Sequence, residues 1–142
     1  MKKNIFIFCI LLICSSFNPC SYLIHRVYFE IGSTEINEEG GKELFAVYSF
    51  LKTYPQFKII FEGYTDQAEV LNKEEAMELS LKRTQVCKDY LIERMSDVYK
   101  IEEQIMVKGY GYEQLCVPET VKGEFLKKNR EINRRVEIRV TR

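Results

Sequence analysis

The chain is short of the residues and patterns that several common functions require. It has one histidine, His25, and no serine or cysteine stands in a recognisable arrangement with a base and an orienting group. Triad-type nucleophilic hydrolysis therefore has no candidate machinery, and a glycosidase-type pair of carboxylates cannot be told from surface charges among 21 acidic residues. It has no excess of charge, with 21 Lys and Arg against 21 Asp and Glu, so it has no long-range attraction to nucleic acid or anionic lipid. It has no zinc-type cysteine spacing, internal repeat or low-complexity linker. It also lacks a long hydrophobic run. Ile5 to Ile13 is unbroken but too short for a conventional membrane-spanning helix, which needs roughly 20 apolar residues.

That run has another use. Lys2 and Lys3 precede it and Cys14-Ser15-Ser16 follow it. A basic start, a short apolar stretch and small residues at its end predict a secretory signal peptide over residues 1–20, with an N-terminal anchor as the variant. The run carries no acidic residue, which argues against a proton-driven motor subunit. Export opens the way to thiol oxidation, so a Cys87–Cys116 bridge is one option and two unpaired thiols the other.

Residues 25–142 carry the composition of a single globular domain, given that 46% of the whole chain is hydrophobic and 13% aromatic. His25 to Ile31 reads as a strand with Val27, Phe29 and Ile31 on one face. Asn37 is placed to cap a helix with Glu38 and Glu39 in its first turn and a stripe of Leu44, Val47, Tyr48 and Leu51; Pro55 stops it. Phe57 to Gly63 is an apolar, hence central, strand. A loop over Tyr64–Lys73 leads to a long helix from Glu74 to about Met95. Ile105 to Lys108 is a third strand, closed by Gly109-Tyr110-Gly111. Glu113 to Asn129 reads as loop with one helical turn at most, and Arg134 to Val140 as a strand with Arg135 on the solvent side. The order β-α-β-α-β-loop-β predicts an α/β, or α+β sandwich, fold: two long helices packed on a small mixed sheet.

One charge breaks the pattern. The stripe Ala76, Leu79, Val86, Tyr90 of the second helix has Arg83 in its gap, on the sheet side. A guanidinium there cannot lose its proton and needs a carboxylate or the rim of a cleft. Asp66, in the loop leaving the second strand, is the candidate partner. The two define either a structural ion pair or a crevice that grips an ammonium and a carboxylate together, beyond a strand end where α/β ligands bind.

Four segments carry a family resemblance: Gly63-Tyr64-Thr65-Asp66; Leu79-Ser80-Leu81-Lys82-Arg83; Gly109-Tyr110-Gly111; and Arg130-Glu131-Ile132-Asn133-Arg134-Arg135-Val136-Glu137-Ile138. In that order, and with Val27-Tyr28-Phe29-Glu30 ahead of them, they resemble the OmpA-like C-terminal domain of peptidoglycan-associated lipoproteins, OmpA and flagellar stators. The resemblance implies a βαβαββ domain and non-covalent binding of the peptidoglycan stem peptide through diaminopimelate. It implies that Asp66 meets the ammonium end and Arg83 the carboxylate, that Thr65 shapes the loop and offers a hydroxyl, and that Tyr64 stands where the family more often has histidine. Arg134, in phase with Val136 and so on the apolar face, either braces the site or forms a purely structural ion pair. It implies an exported, periplasmic protein associated with the outer membrane, with no cofactor, no nucleic acid, and other envelope proteins as possible partners. The chain departs from the pattern at Gly32 and Ala76, where the family has asparagine, and its Asp66-to-Arg83 segment is longer than usual. Asn72 is the candidate replacement. A domain degraded into a protein-interaction scaffold is the alternative.

Overall fold

The computed structural model describes residues 22–95, 101–121 and 124–142. The expected signal peptide over residues 1–20 lies outside these, as do Cys9, Cys14 and Cys20. The order is β1 (Tyr22–Tyr28), α1 (Glu38–Thr53), β2 (Lys58–Gly63), α2 (Lys73–Arg94), a 3-10 turn (Ile101–Gln104), β3 (Ile105–Gly109), β4 (Thr120–Val121), β5 (Glu124–Phe125), α3 (Lys127–Asn133) and β6 (Arg135–Thr141). A mixed sheet of order β1-β6-β2-β3 forms one layer, with only β2 and β3 parallel. The β4–β5 hairpin stands apart from it.

The helices form where their caps place them. The Asn37 carboxamide accepts the Gly40 N–H at 2.8 Å and starts α1, and the Asn72 carboxamide accepts the Glu75 N–H at 2.9 Å and starts α2. Asn72 is thus committed to the helix end. Inward-facing Val27, Phe29, Ile59, Phe61, Val136 and Ile138 meet Leu44, Val47 and Leu51 of α1 and Cys87 and Leu91 of α2 in one core. β2 lies between β6 and β3, as its apolar sequence predicts.

Several expectations are corrected. β1 begins and ends earlier than the predicted His25–Ile31, because a turn starts at Glu30, whose carbonyl accepts the Ser33 N–H at 3.1 Å, with Gly32 at φ 63°. The stretch expected as loop contains β4, β5 and the start of α3. That helix was hidden by its polar sequence and by Leu126, a cap with no side-chain hydrogen bond. The buried face of α2 is Ala76, Ser80, Arg83, Thr84, Cys87 and Leu91, while Leu79, Val86 and Tyr90 are only half-buried. Arg83 keeps its inward place, but the stripe is rotated towards small residues. The cause is the closeness of helix and sheet: a Cβ on Gly63 would lie 2.2 Å from the Ser80 carbonyl oxygen, and one on Gly109 would lie 2.6 Å from the Ser80 hydroxyl. Bulky side chains do not fit in that gap. Cys87 and Cys116 are both free, one in the core and one exposed.

Candidate functional site

The site is built where β2 ends. Past Gly63 the chain stays tied to its neighbours: the Tyr64 N–H donates to the Arg135 carbonyl at 2.8 Å and the Thr65 N–H to the Gly111 carbonyl at 2.9 Å. Asp66 then turns the chain. Its Oδ1 accepts the Ala68 N–H at 2.6 Å and the Glu69 N–H at 2.9 Å, and Glu69 answers by accepting the Asp66 N–H on Oε1 at 3.1 Å. This is the reciprocal pairing of a capping box, used here in a loop. Glu119, buried in the long loop after β3, accepts the Gln67 N–H and fixes the turn from the other side.

The turn delivers the Glu69 carboxylate onto Arg83. Nη1 and Nη2 of Arg83 each donate to one carboxylate oxygen at 2.7 Å, and both side chains are 0% exposed. The other donors of Arg83 go to backbone: Nε to the Ser33 carbonyl at 2.9 Å, Nη2 to the Glu30 carbonyl at 3.1 Å and Nη1 to the Tyr64 carbonyl at 3.4 Å. All five guanidinium N–H groups are therefore engaged. The Phe29 ring lies 5.1 Å from the guanidinium carbon. The Gly32 N–H completes the carboxylate's shell, donating to Oε2 at 2.9 Å.

Asp66 has its own cation. Arg134 Nη1 meets its Oδ2 at 2.6 Å, and Arg134 Nε donates to the Phe29 carbonyl at 3.0 Å. Asp66 is 0% exposed; a groove of ≈ 290 Å³ lined by Phe29, Glu30, Lys128, Ile132 and Arg134 opens beside the pair. Two cations and two carboxylates thus balance in one network. Asp66 and Arg83 lie in one network, joined through Glu69, and the expected Asp66–Arg83 partnership is replaced by Glu69–Arg83 and Asp66–Arg134.

Thr65 is buried, and its hydroxyl has no hydrogen-bond partner among the described residues. Tyr64 contributes its carbonyl to Arg83, while its ring turns to the outer face of the sheet. There it stacks on Tyr110 at 5.4 Å and covers Arg135, whose guanidinium carbon is 3.9 Å from the ring centre. Burial, then the charges of Glu62 and Glu137, push the Tyr64 phenol far above its ordinary value. Arg135 does point away from the core, but it is buried beneath that ring and not on the surface. Ala76, where an asparagine was expected, packs against Gly111: a Cβ on that glycine would lie 3.0 Å from the Ala76 Cβ.

Sequence reading missed Glu69, Glu119 and Asn133. The spacing Asp66-x-x-Glu69 is itself a capping-box signature and would have flagged the first. Asn133 accepts the Cys116 and Val117 N–H groups at 2.9 and 3.2 Å and donates to the Val117 carbonyl and to Glu119. It pins the loop that fixes Gln67. No local pattern signals contacts so distant in sequence. Among the described residues no cluster of three or more His, Cys, Asp or Glu could hold a metal, and no helix is long and apolar enough to cross a membrane.

Comparison with known proteins identifies the family and the fold. The model of the OmpA family matches residues 28–134. The fold is similar to that of the peptidoglycan-associated lipoprotein from Burkholderia pseudomallei, with a TM-score of 0.69 and 21% identity over 83% of this chain and 91% of that one. It is also similar to the C-terminal domain of Helicobacter pylori MotB, with a TM-score of 0.67 and 23% identity over 84% and 85%. An outer membrane protein from Borrelia burgdorferi is 29% identical over 86% and 87%, with a TM-score of 0.58. No curated protein matches the chain.

Proposed function

The chain belongs to the OmpA family, and from that membership and the carboxylate held on Arg83 we propose that it binds peptidoglycan non-covalently in the bacterial cell envelope. The observation that carries the reading is the set of donors around Glu69. A bidentate guanidinium and two backbone N–H groups converge on one carboxylate beside a second, acidic station at Asp66. Such a pair suits a ligand bearing a carboxylate and an ammonium on one carbon, as diaminopimelate of a stem peptide does. In this reading Arg83 takes the carboxylate and Asp66 the ammonium. Arg134 holds Asp66 in place, Tyr64 lends its carbonyl to Arg83, and the Thr65 hydroxyl supplies a hydrogen bond that none of the described residues takes. Residues 1–20 act as an export signal, and the domain works in the periplasm, associated with the outer membrane. The fold it shares with a peptidoglycan-associated lipoprotein supports this placement.

The second reading is a protein-interaction scaffold in an envelope complex. It is favoured by the sealing of Arg83 and Glu69 away from solvent and by Ala76 in place of a polar side chain.

Co-sedimentation with purified sacculi separates the two. Wild type is expected in the pellet, and Asp66→Asn and Arg83→Lys in the supernatant with unchanged far-ultraviolet circular dichroism. If both variants pellet like wild type, the site is elsewhere. If wild type stays soluble while retaining a protein partner from envelope extract, the scaffold reading stands.

A further inference from the structure

Glu69 reaches the interior from the surface. Gln67 and Ala68 before it and Leu71 and Asn72 after it are exposed, Leu71 at 93%, whereas the Glu69 side chain is at 0%. The segment lies between β2 and α2, in neither helix nor strand. A single acidic side chain dips from an exposed loop into a pocket of donors.

Those donors are held by contacts that do not involve Glu69. Arg83 is fixed by the Ser33, Glu30 and Tyr64 carbonyls. Gly32 is set by the turn in which the Ser33 N–H meets the Glu30 carbonyl. Asp66 follows directly on Thr65, whose N–H is tied to Gly111. The pocket is therefore preformed for a carboxylate, whichever molecule supplies it. Apart from the bonds of the Glu69 carboxylate itself, the loop is held by N–H donations from Ala68 and Glu69 to Asp66, from Gln67 to Glu119 and from Leu71 to Glu75, all of which water can replace once the segment lifts.

We propose that Glu69 is a displaceable internal occupant of this cradle, and that a carboxylate of the peptidoglycan stem peptide competes with it for Arg83. The proposal rests on the wall-binding reading above for the source of the competing carboxylate; the cradle itself rests on geometry alone. A tethered competitor acts at high effective concentration and lowers the apparent affinity by the fraction of time the cradle is open. The resting chain then binds wall fragments weakly, and removal of the Glu69 charge strengthens binding.

The test uses wild type, Glu69→Ala and Glu69→Gln, the last keeping the side-chain volume and one acceptor oxygen for Arg83, with far-ultraviolet circular dichroism to show that each variant is folded. Melting is followed in sodium acetate and in sodium chloride of equal ionic strength, acetate being the probe of an emptied cradle. Acetate is expected to raise the melting temperature of Glu69→Ala by about 3 °C over chloride and to leave wild type unmoved. Both variants are expected to bind sacculi about 10-fold more tightly than wild type. Acetate stabilisation with no sacculus binding by any form upholds the cradle and its internal occupant and rejects the wall as ligand. Absence of any acetate effect in Glu69→Ala overturns the proposal whatever the sacculi show. Sacculus binding that is equal in all three forms, or weaker in the variants, also overturns it.

Discussion

Arg83 shows what a buried charge demands of its surroundings. Its side chain is entirely out of solvent, its five donors are engaged, and one carboxylate neutralises it. Pairs of this kind add little net stability, because desolvation offsets most of the attraction, but breaking one strands a charge. Arg83→Met is accordingly expected to destabilise the fold by about 1–3 kcal/mol, because the Ser33, Glu30 and Tyr64 carbonyls lose their donor and Glu69 loses its cation, while the loop can carry that carboxylate out to water. Adding Glu69→Leu to it should recover much of the loss, as the remaining charge is removed with its partner. Urea unfolding of the two variants checks this; a double variant no more stable than the single one would show that the backbone contacts of Arg83, and not its charge pairing, hold the loops. The need for a carboxylate at this position was legible from helical spacing. Its identity was not: Asp66 and Glu69 sit in the same loop, and only the reciprocal turn between them decides which one is aimed inward.

At the scale of elements, the site depends on how closely α2 lies on the strands that carry the loop. Gly63 ends β2 directly beneath the Ser80 carbonyl, and its missing side chain sets the separation. Gly63→Ala would force the helix away from the sheet just where Arg83, one turn further on, reaches the Glu30 and Ser33 carbonyls. A loss of about 1–3 kcal/mol is expected from overpacking, with a lower melting temperature in calorimetry. Sacculus binding should fall as well, since the cradle is assembled from both sides of that gap. A Gly63→Ala variant as stable as wild type would show that the helix can shift freely. The predicted stripe on α2 was wrong for the same reason that this glycine matters. Periodicity selects the most apolar face, and here the tightest contact selects the smallest one, with Ser80 and Thr84 bonding back to their own helix carbonyls at 2.8 and 2.7 Å.

Across the whole molecule, the outer face of the sheet is a ladder of alternating charge. Arg139 joins Glu62 at 2.7 Å and Glu137 at 2.6 Å, and Arg135 and Arg26 also reach Glu137. Burial alone would raise the Glu137 carboxyl, but the hydrogen bond and charge of Arg135, with Arg139 and Arg26, outweigh it and hold the group below its ordinary value. A depressed folded value means that the ionised form favours the native state. Its contribution is present above the ordinary carboxyl range near 4.5 and fades as pH falls through the lower, folded value. Wild-type urea midpoints should therefore drop as pH is taken from 6 towards 3, and Glu137→Gln should start lower and fall less steeply over that window. Equal slopes for the two proteins would place the acid sensitivity in other carboxylates.

The primary structure by itself determined the order of the two long helices and of the four strands of the main sheet, the helix cap at Asn37, the inward place of Arg83 and its need for an anion. Each of these follows from residues near one another along the chain: periodicity, a capping side chain, a proline, a charge among apolar neighbours. Tertiary structure alone decided that Glu69 answers Arg83 and Arg134 answers Asp66. It also decided that Asn133 and Glu119 pin the distant loop, that Arg135 is covered by a tyrosine ring, and that the two cysteines stay apart. Those outcomes depend on which oxygen comes within about 3 Å of which nitrogen once the sheet is assembled. A distance of that kind between remote segments has no local signature in the order of the residues.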